Sequence, residues 1–224
     1  MIIGAIDLGT NTFDLLLAQV TDGNLKILYR EKQWVGLGTG LYPSMELQQD
    51  ALHRATQCLI HFNGIAKEYQ ANVLRACGTS ALRDAINGRL WCAEIHEKTG
   101  ISIEVISGIQ EAKRVFSGIK NLSNIPSDGI IMDIGGGSTE LIVFRELQLD
   151  HVFSLDIGVT RLLNALDFNN PLTEEEILRF EMLFSEESKQ LLPTTDTLIG
   201  AAGAFETFFW LIYKESIPDG ICVS

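Results

Sequence analysis

The sequence predicts a mixed α/β protein built from two similar units, and three observations lead there. The stretch Ile6-Asp7-Leu8-Gly9-Thr10-Asn11-Thr12-Phe13-Asp14-Leu15-Leu16-Leu17 lies over Met132 to Val143 without a gap. Gly9 then falls on Gly135, Thr12 on Ser138 and Asp14 on Glu140. Repetition at so long a period indicates two related units, not a solenoid. Each copy also opens a series of strand patterns followed by helical ones, as in mixed α/β domains. Finally, 224 residues with 46% hydrophobic content and only five prolines make an ordinary globular chain. That length suits two domains of about 100–120 residues.

Ile2 to Asp7, Thr12 to Thr21 and Leu25 to Val35 read as antiparallel strands, the last two joined at Asp22-Gly23-Asn24. After the loop Gly36 to Gly40 comes a helix whose Leu52, Ala55, Leu59, Phe62 and Ala66 recur at spacings of three and four. Strand Asn72 to Cys77 follows, then Gly78-Thr79-Ser80-Ala81-Leu82-Arg83-Asp84 and a helix through about Lys98. Strand Ile101 to Ile106, a helix from Ile109 to Lys120 and the polar stretch Leu122 to Asp128 complete the first unit, 1–122. The second, 123–224, repeats the opening with strands Gly129 to Ile134, Thr139 to Arg145 and Gln148 to Leu155. A helix follows Gly158, and another starts at the capping box Thr173–Glu176 with an apolar face of Ile177, Phe180 and Phe184. Strand Thr197 to Ile199 runs into Gly200-Ala201-Ala202-Gly203 and a helix from Phe205 to Tyr213.

The net charge of −12, with only 17 Lys and Arg, argues against broad basic surfaces and non-specific nucleic-acid binding. A phosphate ligand must be held locally. Cys58, Cys77, Cys92 and Cys222 have no metal or disulfide spacing and read as reduced thiols. His53, His61, His96 and His151 form no ligand pattern. Met1 to Gly4 leads directly into a strand with no basic segment before it, and no apolar run approaches the ~20 residues of a membrane span. A cytoplasmic protein with no membrane partner is the expectation.

The chemistry concentrates in Asp133-Ile134-Gly135-Gly136-Gly137-Ser138-Thr139-Glu140. Three glycines let backbone N–H groups close on an anion, and hydroxyls stand beside them. Asp133 and Glu140 offer the hard oxygens that Mg²⁺ prefers. A simple tight hairpin accounts for one or two glycines, not for three flanked by carboxylates. Gly9 to Thr12 repeats the device, with Asp7 before it, so two such hairpins facing across a cleft would clamp a phosphorylated ligand. Glu111, in the first turn of a helix after Ser107-Gly108, is a water-activating carboxylate or a residue favoured there by the helix dipole. Arg83 is a bidentate phosphate grip or the partner of Asp84. Arg161 is a substrate contact or a packing residue. Trp34, Trp91 and Trp210 read as core or interface, and Phe205, Phe208, Phe209 and Trp210 suit a domain seam or dimer contact.

Five stretches together resemble the exopolyphosphatase and guanosine pentaphosphate phosphohydrolase family of the actin-like ATPase superfamily. They are Asp7 to Thr12, Gly78-Thr79-Ser80-Ala81-Leu82-Arg83-Asp84-Ala85, Ser107-Gly108-Ile109-Gln110-Glu111-Ala112, Asp133 to Glu140, and Ser154 to Leu162. The second and third are the most particular to the family. The resemblance implies two actin-like (ribonuclease H-like) α/β domains, each a mixed sheet of five-stranded type flanked by helices, around an interdomain cleft. It implies a Mg²⁺-dependent hydrolase of terminal phosphoanhydride bonds in inorganic polyphosphate or guanosine pentaphosphate. Glu111 and Arg83 would be catalytic. Gly9, Thr10, Asn11, Thr12, Gly135, Gly136, Gly137 and Ser138 would bind phosphate, with Asp133, Glu140 and Asp7 as metal ligands. A homodimer is compatible with it. Asp14 departs from the Arg or His common in relatives, and relatives continue past the equivalent of Ser224. A superfamily kinase and a non-catalytic nucleotide-switched module are the alternatives; a water-activating Glu111 separates the hydrolase from the module.

Overall fold

The computed structural model describes residues 1–122, 124–165, 171–188 and 195–214. Cys222 lies outside them. The chain divides into two compact units, Met1–Ser107 and Gly108–Ser224.

In the first unit, β1 (Ile2–Leu8), β2 (Thr12–Thr21) and β3 (Asn24–Trp34) form an antiparallel meander. The turn between β2 and β3 has positive φ at Asp22 (50°) and Gly23 (79°), a geometry matched to the twist of a tight hairpin. Helix α1 (Gln49–Glu68) crosses over to β4 (Val73–Gly78), which pairs parallel with β1. Helices α2 (Ser80–Asp84) and α3 (Gly88–Thr99) then lead to β5 (Ile103–Val105), parallel to β4. The sheet order is β3-β2-β1-β4-β5.

Alternation explains which side is covered. Ile6, Leu8, Phe13, Leu15 and Leu17 are buried, while Asp7 between Ile6 and Leu8 is exposed. Against the buried face lies α1 with Ala55, Leu59, Phe62 and Ala66, the helical stripe expected from the spacing. Full burial of side chains such as Leu59 and Phe62 contributes ~1.5–3 kcal/mol each.

The second unit repeats this plan. Helix α4 (Gly108–Ile119) precedes the antiparallel strands β6 (Gly129–Ile134), β7 (Thr139–Arg145) and β8 (Gln148–Leu155). Helices α5 (Val159–Ala165) and α6 (Glu174–Ser188), strand β9 (Leu198–Ala201) and helix α7 (Ala202–Tyr213) follow. β9 pairs parallel with β6, giving the order β8-β7-β6-β9 among the described residues. Strand β7 is buried on both faces: Ile142 and Phe144 pack with Ala112 and Phe116 of α4, and Leu141 packs with Leu155 and Ile157. The capping box forms, with the Glu176 carboxylate accepting the Thr173 N–H at 2.7 Å and the Thr173 hydroxyl accepting the Glu176 N–H at 3.3 Å.

Some local features differ from the sequence pattern or add to it. The compact units meet at 107/108, whereas the polar stretch after Leu122 suggests 122/123 as the boundary. The difference is α4, whose apolar face belongs to the second sheet. The stretch Gly78 to Asp84, expected only to lead into the helix that runs to about Lys98, itself carries the short helix α2, separated from α3 at Ala85 to Asn87. There the Asn87 amide bonds both backbone groups of Leu47 at 3.0 Å, fixing a corner that helical periodicity does not reveal. Trp91 is core, but Trp34 is 68% exposed and lies beneath the Arg54 guanidinium, 5.8 Å from its ring centroid. One face of its ring meets a cation, and most of its surface stays exposed.

Candidate phosphate and catalytic site

Each repeated turn is closed in the same way. The Gly9 N–H donates to the Thr12 carbonyl at 3.0 Å, and the Gly135 N–H to the Ser138 carbonyl at 2.9 Å. Directly behind the closing bond, Asp7 stands opposite Asp14 across β1 and β2, and Asp133 opposite Glu140 across β6 and β7. Residues so paired share a face of the sheet. The repeat seen in the sequence is therefore also a repeat of strand register.

The carbonyls of both turns are held from behind. Thr10 C=O accepts the Gly38 N–H at 2.9 Å, and Asn11 C=O accepts those of Val35 and Gly36 at 2.8 Å. In the second unit Gly136 C=O accepts the Thr160 N–H at 2.7 Å and the Arg161 N–H at 3.0 Å. Gly137 C=O accepts Nε of Arg161 at 2.8 Å. In a planar trans peptide the N–H points opposite to the C=O. Pinning these carbonyls therefore turns the N–H groups of Asn11 and Thr12, and of Gly137 and Ser138, toward the other side of each turn. Such sets of aligned amides make anion sites. Arg161 thus supports the turn and also pairs with Asp156 at 3.4 Å.

Gly158 makes this support possible. A Cβ there would lie 2.5 Å from Gly136 O and from backbone atoms of Gly137. The hydroxyl of Thr139 is spent on the Ile157 carbonyl at 2.7 Å, anchoring the same segment. It is not available to a ligand as the sequence suggests.

The carboxylates beside the turns differ. Glu140 is 1% exposed, and its Oε1 accepts the Ser154 hydroxyl at 2.8 Å. Asp133 is half-buried, and burial pushes its carboxyl above the ordinary carboxylate range. A desolvated carboxylate gains from a cation, and Mg²⁺ is commonly held by one or two carboxylates together with substrate phosphates. Asp133 with Glu140 fits that donor set; no group of three or more potential metal-ligating side chains occurs among the described residues. Asp7 is exposed beside the first turn.

Glu111 occupies the first turn of α4, half-buried. The start of that helix lies tight against β8, because a Cβ on Gly108 would stand 1.9 Å from the Ser154 hydroxyl and 3.4 Å from Oε1 of Glu140. Glycine at 108 thus brings the helix carrying Glu111 onto the strand that holds Glu140. The sequence reading assigned Ser154 no role; its signal was the β7–β8 register, which sets it opposite Glu140. Arg83 sits in the last turn of α2 in the first unit, with Nη1 donating to the Ile106 carbonyl at 3.1 Å. The Asp84 carboxylate accepts the Tyr42 and Ser80 hydroxyls at 2.9 and 3.2 Å. Burial lifts the thiols of Cys58 to about 12 and Cys92 to about 11, so both are unreactive.

The model of the Ppx/GppA phosphatase family matches residues 16–215, a span that includes Arg83, Glu111 and Asp133 to Glu140. The chain belongs to the Ppx/GppA phosphatase family. An exopolyphosphatase from Cytophaga hutchinsonii ATCC 33406 is 30% identical with a TM-score of 0.88, over 97% of this chain and 73% of that one. The Ppx/GppA family member of Aquifex aeolicus is 28% identical with a TM-score of 0.78, over 96% and 70% of the two chains. Ethanolamine utilization protein EutJ from Carboxydothermus hydrogenoformans, at 16% identity and a TM-score of 0.52 over 96% and 83%, shares the fold. The actin-like two-domain architecture and the phosphoanhydride hydrolase class follow from Ppx/GppA membership. The family match begins after the first turn, so Gly9 to Thr12 are related to the second turn by their geometry.

Proposed function

We propose that this Ppx/GppA protein removes the terminal phosphate of inorganic polyphosphate or guanosine pentaphosphate by Mg²⁺-dependent attack of water. The observation that carries the reading is the twice-built turn, its carbonyls fixed behind and its amides facing away, beside a carboxylate pair. Phosphoryl transfer needs charge neutralisation and positioning more than covalent chemistry. Gly9, Thr10, Asn11 and Thr12, and Gly135, Gly136, Gly137 and Ser138, take phosphate oxygens through backbone and hydroxyl donors. The Arg83 guanidinium offsets charge on the phosphoryl group. Glu111 accepts the proton of the attacking water as its oxygen bonds to phosphorus. The bridging P–O bond breaks, and its electron pair leaves on the shortened chain. Asp133 and Glu140, with Asp7, are the residues to hold Mg²⁺, which when bound neutralises phosphoryl oxygens.

No helix among the described residues is long and apolar enough to cross a membrane. A cytoplasmic enzyme without nucleic-acid or membrane partners belongs to the same proposal, in keeping with the charge of −12. So does a homodimer, with the exposed Trp210, Leu211 and Ile212 of α7 as its apolar face.

Phosphate release from the two substrates tests the reading. Release is expected with Mg²⁺, to be abolished by EDTA and restored by excess Mg²⁺. Absence of release from both substrates in Mg²⁺ would overturn it.

Asp133 supplies a separate test of the metal. Its folded-state pKa is raised, so without metal its contribution to stability is greatest below the unfolded value near 3.9. That contribution declines as pH rises through the unfolded value toward the folded one, and above both the penalty is complete. In EDTA at pH 7.5, Asp133→Asn is therefore expected to melt higher than the parent. Mg²⁺ should raise the parent's melting temperature and leave the variant's unchanged. Equal Mg²⁺ stabilisation of both proteins would remove Asp133 from the ligand set.

A further inference from the structure

A cavity of about 440 Å³ opens within the first unit, lined by Arg83, Arg89, Ser107 and the apolar Ile86, Val105 and Ile106 among others. It lies past the carboxyl ends of the parallel strands β4 and β5, the edge where α/β sheets gather ligands. Arg89 has no evident part in the fold. It is exposed, and it sits in the first turn of α3, where the helix dipole disfavours a cation. Among the described residues no carboxylate is paired with it. In a chain with 29 acidic and 17 basic side chains, two guanidinium groups lining one cavity are a local reversal of sign. The aliphatic wall lowers the local dielectric and strengthens each guanidinium–phosphate contact.

We propose that Arg89 and Arg83 form a subsite for linked phosphates, in which Arg89 holds a phosphate group of the substrate other than the one being cleaved. This rests on the hydrolase reading above and deepens it. It makes Arg89 a specificity residue for substrates with three or more phosphates in a row. Inorganic chains and nucleoside-borne chains share that chemistry.

The test is calorimetric titration of the 224-residue chain and its R89Q and R89K variants with tripolyphosphate, guanosine triphosphate and orthophosphate. R89Q is expected to weaken tripolyphosphate binding about tenfold, as for loss of a charge-assisted contact, and orthophosphate binding less than twofold. R89K should fall between, because an ammonium keeps the charge and loses the bidentate fork. A matching loss for guanosine triphosphate assigns the subsite to either source of linked phosphate. A loss confined to tripolyphosphate assigns it to inorganic chains. Circular dichroism confirms that the exposed substitution leaves the fold intact. In the hydrolysis assay, KM on tripolyphosphate should rise about tenfold and on pyrophosphate less than twofold. Unchanged affinity of R89Q for tripolyphosphate, or no binding by the parent, would overturn the subsite. If the parent hydrolyses neither proposed substrate yet R89Q loses tripolyphosphate binding, the subsite stands and the hydrolase reading falls. If the parent hydrolyses them and R89Q binds as the parent does, the reverse holds.

Discussion

Glu111→Gln is expected to fold like the parent and to lose about 10²–10⁴-fold in kcat, the range for removal of a general base. Glutamine keeps the length and hydrogen-bonding capacity of the side chain and removes its ability to take a proton. A purely structural role would give a different result. A carboxylate in the first turn of α4 interacts with the helix dipole for about 0.3–1 kcal/mol, so Gln would lower the melting temperature slightly and leave turnover intact. Measuring kcat and the melting curve on the same preparation separates the two. KM should change little, since the proton transfer develops only in the transition state. Full turnover in Glu111→Gln would move the base elsewhere while leaving the family assignment untouched.

The second large effect is expected from Gly158→Ala. One methyl group is added, but its nearest neighbours are backbone atoms of Gly136 and Gly137 at 2.5 Å, which have no rotamer through which to yield. Either α5 retreats or the glycine turn moves. Overpacking of this kind costs about 1–3 kcal/mol. The functional loss should exceed what stability accounts for, because a shift of about 1 Å in groups that position a reacting centre costs ~10²-fold. The expected result is a folded protein with a lowered melting temperature and about a hundredfold lower kcat/KM. Gly118→Ala is the control: it lies within α4, and its Cβ would meet nothing within 4 Å. Parent-like kcat/KM in Gly158→Ala would show that the turn tolerates displacement and does not hold the phosphate.

Much of the fold was legible because it follows from patterns within single elements. The alternation in β1 and β2, the stripe on α1 and the Thr173–Glu176 box each announce themselves over a few residues. The gap-free match of Asp7 to Asp133 also carried the register, since equal spacing from Asp to Gly to the next acid closes equal turns. What escaped was what depends on partners distant in the chain. The stripe on α4 shows that the helix has an apolar face, not which sheet receives it. Trp34 reads as core or interface, and nothing in its own stretch announces that it is exposed with the Arg54 guanidinium over its ring. At the site, the sequence assigns no role to Gly158 and Gly108, whereas Gly158 lets the segment entering α5 approach Gly136 and Gly137, and Gly108 makes room for Ser154.

The anchoring of the second turn by the first residues of α5 and by Arg161 has a kinetic consequence. Donors already set in position spend no binding energy on becoming ordered, so in the proposed role they would receive the released phosphate as readily as the substrate. Under the proposed phosphate role, orthophosphate is expected to inhibit as a competitor of the substrate, with emptying of the loop as the slow event of each cycle.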